Sequence, residues 1–214
     1  MKKYNFIHVG KCGGTSVERY LQLNNLKYNK AHTNTILKKN KNIKDKYKNV
    51  NNYLILVRNP IARFVSAFNW AKELYKKGNI PYKFIQEYET ANDFALDLFE
   101  KKIKKKNFKG KCYGHFSKDI KYYTKYILNL YNNNSQYVRN LKIVRTEYLE
   151  DDLNNYFKTD TKLSHVHKNS NYDKYLSKEA IYNIKLWYKK DYKCLFKMYE
   201  MGLISKKYYN ECLK

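Results

Sequence analysis

Phe6–Ser16, FIHVGKCGGTS, carries an apolar strand into a glycine-rich turn that holds one lysine, and then into the start of a helix. Three of the seven glycines in the chain, Gly10, Gly13 and Gly14, fall within this turn. Glycine admits positive φ and lets a backbone approach a ligand with no Cβ in the way. A helix predicted over Thr15–Leu23 aims its unsatisfied N–H groups back at the turn. Such a turn is an anion cradle. Lys11 adds a mobile full charge to the fixed partial charges of the amides, a combination suited to phosphate or sulfate.

Outward from this stretch the pattern repeats. Tyr4–Val9, Tyr53–Val57 (YLILV) and Leu141–Val144 (LKIV) are nearly continuous apolar runs, as expected of strands covered on both faces. Helical patterns lie between them. Asn59 is placed to cap a helix with Pro60 at its first position, and Ile61, Phe64, Val65, Phe68 and Ala71 then share one face. Further helices are predicted over Ala91–Ile103 and Ile120–Leu130, and one long helix after Ser177 through Ile181, Ile184, Tyr188, Leu195 and Met198. Lys38–Asn52 and Tyr156–Asp173 read as loops. Strands alternating with helices predict an α/β class built on a central, mainly parallel sheet flanked by helices.

The 214 residues, 43% hydrophobic and 17% aromatic, suffice for one domain over residues 1–214, despite a mean hydropathy of −0.84. The chain has no apolar run long enough to span a membrane, and with its first strand almost at Met1 it is expected in the cytoplasm. Cys12, Cys112, Cys194 and Cys212 show no metal-ligand spacing and no disulfide framework. Cys12 sits in the cradle, where a positive field could make its thiol reactive, although a small filler side chain is the commoner reason for cysteine there. The net charge of +25 is mostly lysine spread along the chain with abundant Asn and 24 Tyr, which argues against a dedicated nucleic-acid patch.

The turn departs from the G-x-x-x-x-G-K-[ST] phosphate loop, because Lys11 precedes Gly13 and Gly14. The second strand ends in Arg58, where a nucleotide hydrolase needs an Asp for magnesium. A second cation in that place predicts a second anionic group on the ligand and no metal.

The pair FIHVGKCGGTS and LILVRNPIARFVSAF resembles the two cofactor motifs of the PAPS-dependent sulfotransferases, in particular the carbohydrate-sulfotransferase-like branch with P-K-x-G-G-T-S followed by V-R-[DN]-P-x-x-R-x-x-S-x-[YF]. KIVRTEYLEDDL is similar to the family's later strand and acidic turn, GHFSKDIKYY to its histidine-aromatic segment, and the stretch from His165 to Phe196 to its C-terminal loop and helix. The resemblance implies a P-loop-like three-layer fold and 3′-phosphoadenosine 5′-phosphosulfate (PAPS) as donor, with PAP as product. The acceptor it implies is a hydroxyl, of a carbohydrate that the positive charge would suit if anionic.

By this resemblance Gly13, Gly14, Thr15 and Ser16 hold the 5′-phosphosulfate and Lys11 neutralises the leaving oxygen. Arg58 and Ser66, eight residues apart, bind the 3′-phosphate. Lys168 and Ser170 touch it from the polar loop that carries His165 and His167. Arg63 either contacts the ligand or anchors backbone carbonyls. For the base that takes the acceptor's proton the candidate is His32, with Glu18 and His115 as alternatives. His8 reads as a sheet histidine. Gly10 and Cys12 replace the family's usual proline and threonine in a loop that binds through its backbone. Two other readings stay open: a P-loop nucleotide or sugar kinase, and a basic polyanion-binding module without catalysis.

Overall fold

A computed structural model describes residues 3–31, 47, 50–78, 80–100, 114–163 and 173–214. Its centre is a four-stranded, wholly parallel sheet in the order β2-β1-β3-β4, with β1 at Lys3–Ile7, β2 at Lys27–Ala31, β3 at Asn52–Val57 and β4 at Asn140–Arg145. Ile7 lies opposite both Ala31 and Ile55, which fixes the register at the strand ends. Every residue from Tyr53 to Val57 is buried, so β3 is covered on both faces, as its apolar run predicts.

Helix α1 (Gly14–Leu23) follows β1, and α2 (Pro60–Lys76) follows β3. Asn59 caps α2 as its sequence predicts, its Oδ1 accepting the Ile61 N–H at 2.9 Å, and Pro60 occupies the first turn. Beyond a 3₁₀ segment at Ile80–Glu87 come α3 (Ala91–Glu100), the single turn α4 (Gly114–Ser117) and α5 (Ile120–Asn132), which leads into β4. After β4 the chain forms α6 (Leu149–Phe157), α7 (Lys178–Trp187), α8 (Lys189–Glu200) and α9 (Lys206–Leu213). One apolar cluster joins the sheet to α1, α5, α6, α8 and α9, and a second joins α2, α3, α4 and α7 around Phe64, Phe94 and Phe116.

Three features depart from the sequence reading. Strand β2 was not foreseen: KYNKA is a sheet-edge strand whose lysines point outward, so it lacks an apolar run. The long C-terminal helix is two helices broken at Tyr188, where φ −101° and ψ 23° leave the helical range. The break lets Trp187 Nε1 and the Tyr188 hydroxyl bond the carbonyls of Phe116 and His115, at 3.0 and 3.1 Å. Third, β1 ends at Ile7 rather than Val9, and the next two residues already belong to the turn.

The clusters meet at Arg63, which is fully buried. Its Nε donates to the Gly10 carbonyl at 3.0 Å and its Nη2 to the Lys118 carbonyl at 2.6 Å, while Nη1 lies 3.3 Å from Asp191 Oδ2. Asp191 Oδ1 in turn accepts the Ile120 N–H at 2.7 Å, and the Tyr188 ring lies 5.3 Å from the guanidinium. Of its two open readings, Arg63 therefore takes the structural one. Removing one partner of a buried pair leaves an uncompensated charge. Asp191→Asn is expected to lower unfolding free energy by about 3–5 kcal/mol in urea titration. Lys76→Ala, which breaks an exposed ion pair with Glu73, is expected to cost less than about 0.5 kcal/mol.

Candidate active site

The strand order reverses beside β1: the chain steps from β1 to β2 on one side, then returns to place β3 on the other. At such a switch point the loops leaving the carboxyl ends of neighbouring strands diverge and open a crevice. The two loops concerned are the glycine turn after β1 and the Arg58–Asn59 turn after β3. Arg58 Nη1 donates to the Lys11 carbonyl at 3.1 Å, which ties the two sequence motifs into one site. A third strand end joins them: Thr146 Oγ1, just past β4, lies 3.0 Å from the Cys12 carbonyl and 2.8 Å from that of Val57.

The turn has the backbone its composition demands. Gly13 has φ +78° and Lys11, unusually for a residue with a side chain, φ +66°. Gly13 is the N-cap of α1, no side chain caps that helix, and its first turn holds no acidic residue. The leading amides of α1 are thus left for an anion. At Gly14 a Cβ would overlap the His8 imidazole, and at Gly10 it would overlap the ring of His115, so both glycines are also required by packing.

Lys11 stands in a half-dry aromatic corner, its Nζ 4.9 Å from the centre of the Trp70 ring. Burial, and then the neighbouring Arg58 charge, pull its ammonium down to about 8. His115 meets Trp70 edge to face at 4.8 Å between ring centres. Burial and the charges of Lys11 and Arg63 hold its imidazole down to about 3, so it is a free base at neutral pH. Its Nδ1 is buried and has no hydrogen-bond partner.

On the other side of Arg58 opens a cleft of about 600 Å³, and Ser66 and Asn69 line it from α2. Arg58 and Ser66, eight residues apart in sequence, both line this space. From the acidic turn Glu147 reaches in, accepting the Asn59 N–H at 2.9 Å and the Tyr208 hydroxyl at 2.9 Å.

The model of the family described as Sulfotransferase family matches residues 2–199. The chain belongs to the sulfotransferase family. No curated protein and no solved structure matches it. The parallel sheet flanked by helices is consistent with a sulfotransferase fold, and the match supports sulfuryl transfer as the general chemistry. Among the described residues no helix of this sulfotransferase is long and apolar enough to cross a membrane.

Of the residues singled out in its sequence, Arg58 and Ser66 line the cleft, and Lys11, Gly13, Gly14, Thr15 and Ser16 form the turn and helix start that Arg58 joins through the Lys11 carbonyl. His32, Lys168 and Ser170 lie outside the described residues, as do His165, His167 and Cys112. Glu18 is held in an ion pair with Lys30 of β2 at 2.5 Å. The reactive reading of Cys12 is corrected: the side chain is fully buried, and burial pushes its thiol up to about 12 despite nearby cations. His8 is not merely a sheet histidine, because its ring packs on the first residue of α1. Trp70, Thr146 and Glu147 were missed. Thr146 and Glu147 could have been found from their place just past a parallel strand, and Trp70 as one of only two tryptophans in the sequence.

Gly14→Ala is expected to cost about 1–3 kcal/mol of stability by overpacking against His8. In the double variant with His8→Ala the loss should shrink, as read by chemical denaturation; an unrelieved loss would show that the His8 ring is not what Gly14 accommodates.

Proposed function

We propose that the protein transfers a sulfuryl group from PAPS to a hydroxyl acceptor, releasing PAP. The observation that carries this reading is the Arg58–Lys11 bond, which makes the anion cradle and the Arg58/Ser66 cleft two ends of one site. The residues suit the donor: an uncapped helix start and a lysine at one end, an arginine and a serine at the other. Ile61, Val65, Leu176 and Ile181 give the cleft between them apolar surface for a purine.

When bound, PAPS supplies the sulfuryl group. The amides of Gly13, Gly14, Thr15 and Ser16 would hold its 5′-phosphosulfate, and Arg58 with Ser66 its 3′-phosphate. Lys11 would offset negative charge on the bridging oxygen. His32 lies outside the described residues; among those described, His115, an alternative base in the sequence reading, shares the Trp70 corner with Lys11. It would receive the acceptor's proton. A carbohydrate, anionic or neutral, is the acceptor class that the resemblance of the motifs favours, and the cytoplasm is the expected location.

Lys11→Ala should abolish turnover while PAP still binds, and Arg58→Ala should weaken PAP binding at least tenfold in calorimetry run in EDTA. Undiminished sulfation in the first variant, or an unchanged dissociation constant in the second, would remove these roles. The kinase reading makes the opposite forecast: magnesium-dependent ATP turnover and no PAP site.

The profile of kcat/KM against pH reports the free enzyme. Lys11 is charged below its lowered pKa of about 8 and loses the charge above it, so the rate should fall as pH rises through that value. His115, already neutral from about 3 upward, adds no acid limb near neutrality. In Lys11→Arg the alkaline limb should vanish whatever the residual rate, since arginine does not titrate there.

A further inference from the structure

Helix α9 lies beyond the residues matched by the family model, yet it forms part of the wall of the cleft through Glu211 and Lys214. Tyr208 and Cys212 are buried in the core, the Tyr208 hydroxyl bonds Glu147, and Asn59 Nδ2 donates to the Glu211 carbonyl at 3.4 Å. The position of the Glu211 side chain is set as well, because its Oε2 accepts the Tyr148 hydroxyl at 2.8 Å.

Two carboxylates therefore face the space into which Arg58 and Ser66 point. Their hydrogen-bonding capacity differs. Glu147 has each oxygen committed, one to the Asn59 amide and one to Tyr208. Among the described residues Glu211 pairs only through Oε2, so Oε1 can accept from a group that enters the cleft. A carboxylate has no proton to give at neutral pH and repels phosphate, so its counterpart on a ligand is a neutral O–H or N–H group.

We propose that Glu211 is a specificity-determining residue that accepts a hydrogen bond from a donor group of the bound nucleoside. On an adenosine bisphosphate two groups have that chemistry, the ribose 2′-hydroxyl and the 6-amino group of the base. The proposal rests on the nucleotide reading of the cleft given above and adds to it a determinant contributed by α9. Glu211 is half-buried, and an acceptor that a bound ligand covers and pairs disfavours the analogue lacking the donor, because the carboxylate oxygen then loses water without gaining a partner.

The test is calorimetric titration of the full chain with PAP, its 2′-deoxy analogue and its inosine analogue. The wild type is expected to bind PAP about tenfold or more tightly than one of the two analogues, and which analogue suffers identifies the donor. In Glu211→Ala that preference should fall to within about twofold. Tyr148→Phe, which removes the anchor of the carboxylate and keeps its charge, separates recognition from mere loosening of α9: loosening would weaken all three ligands alike and leave the preference intact. Equal binding of all three by the wild type, or a preference that survives in Glu211→Ala, would overturn the proposal while leaving the nucleotide reading in place. Failure of the wild type to bind PAP at all would overturn both.

Discussion

Arg63 is the side chain on which the arrangement of the site depends. A guanidinium can be buried only if its donors find acceptors and its charge a counter-ion, and here those partners come from three separate parts of the chain. The Gly10 carbonyl brings the anion turn, the Lys118 carbonyl brings the approach to α5, and Asp191 brings α8. Asp191 extends the hub by accepting the first amide of α5. The reactive crevice is thus built on a rigid, dehydrated ion pair, and the small clearance at Gly10 and Gly14 follows from how closely the parts are drawn together.

That closeness sets the chemistry. Lys11 and His115 share a corner with Trp70, and the low polarity of the corner favours the neutral form of each. Their titrations are pushed in the same direction for related reasons: each is dehydrated and each faces cations nearby. An anion entering the crevice reverses the second cause for both, making the lysine a firmer cation and the histidine a better base. Most of the +25 net charge lies elsewhere on the molecule and takes no part in this local balance.

The cleft beyond Arg58 is completed by the C-terminal end of the described chain. The strand-end residues Thr146 and Glu147 brace the turns after β1 and β3 from the β4 side, and Glu147 also receives Tyr208 from α9. A helix outside the family-matched segment is in this way locked to residues within it. Its placement makes the last helix part of the cleft wall rather than an appendage to it.

The elements legible in the sequence are those governed by local physics. The apolar run Tyr53–Val57, the Asn59 cap with Pro60, the helix opening at Gly13–Gly14 and the pairing of a glycine turn with an arginine-ended strand are all settled within a few residues, so periodicity and capping reveal them. The lysine-bearing edge strand β2 and the break at Tyr188 were hidden because each is held by partners far along the chain: β1 for the strand, and the backbone of His115 and Phe116 for the break. The same division runs through the site. The glycine turn and the arginine-ended strand marked Lys11 and Arg58 as candidates, and the family resemblance added Ser66; the structure joins the two turns through the Arg58–Lys11 bond and lines one cleft with Arg58 and Ser66. Only packing decided that Cys12 is sealed, that Arg63 is a strut, and that Lys11 and His115 share a corner with Trp70, since burial and through-space charge are properties of neighbours that the linear order of residues does not specify.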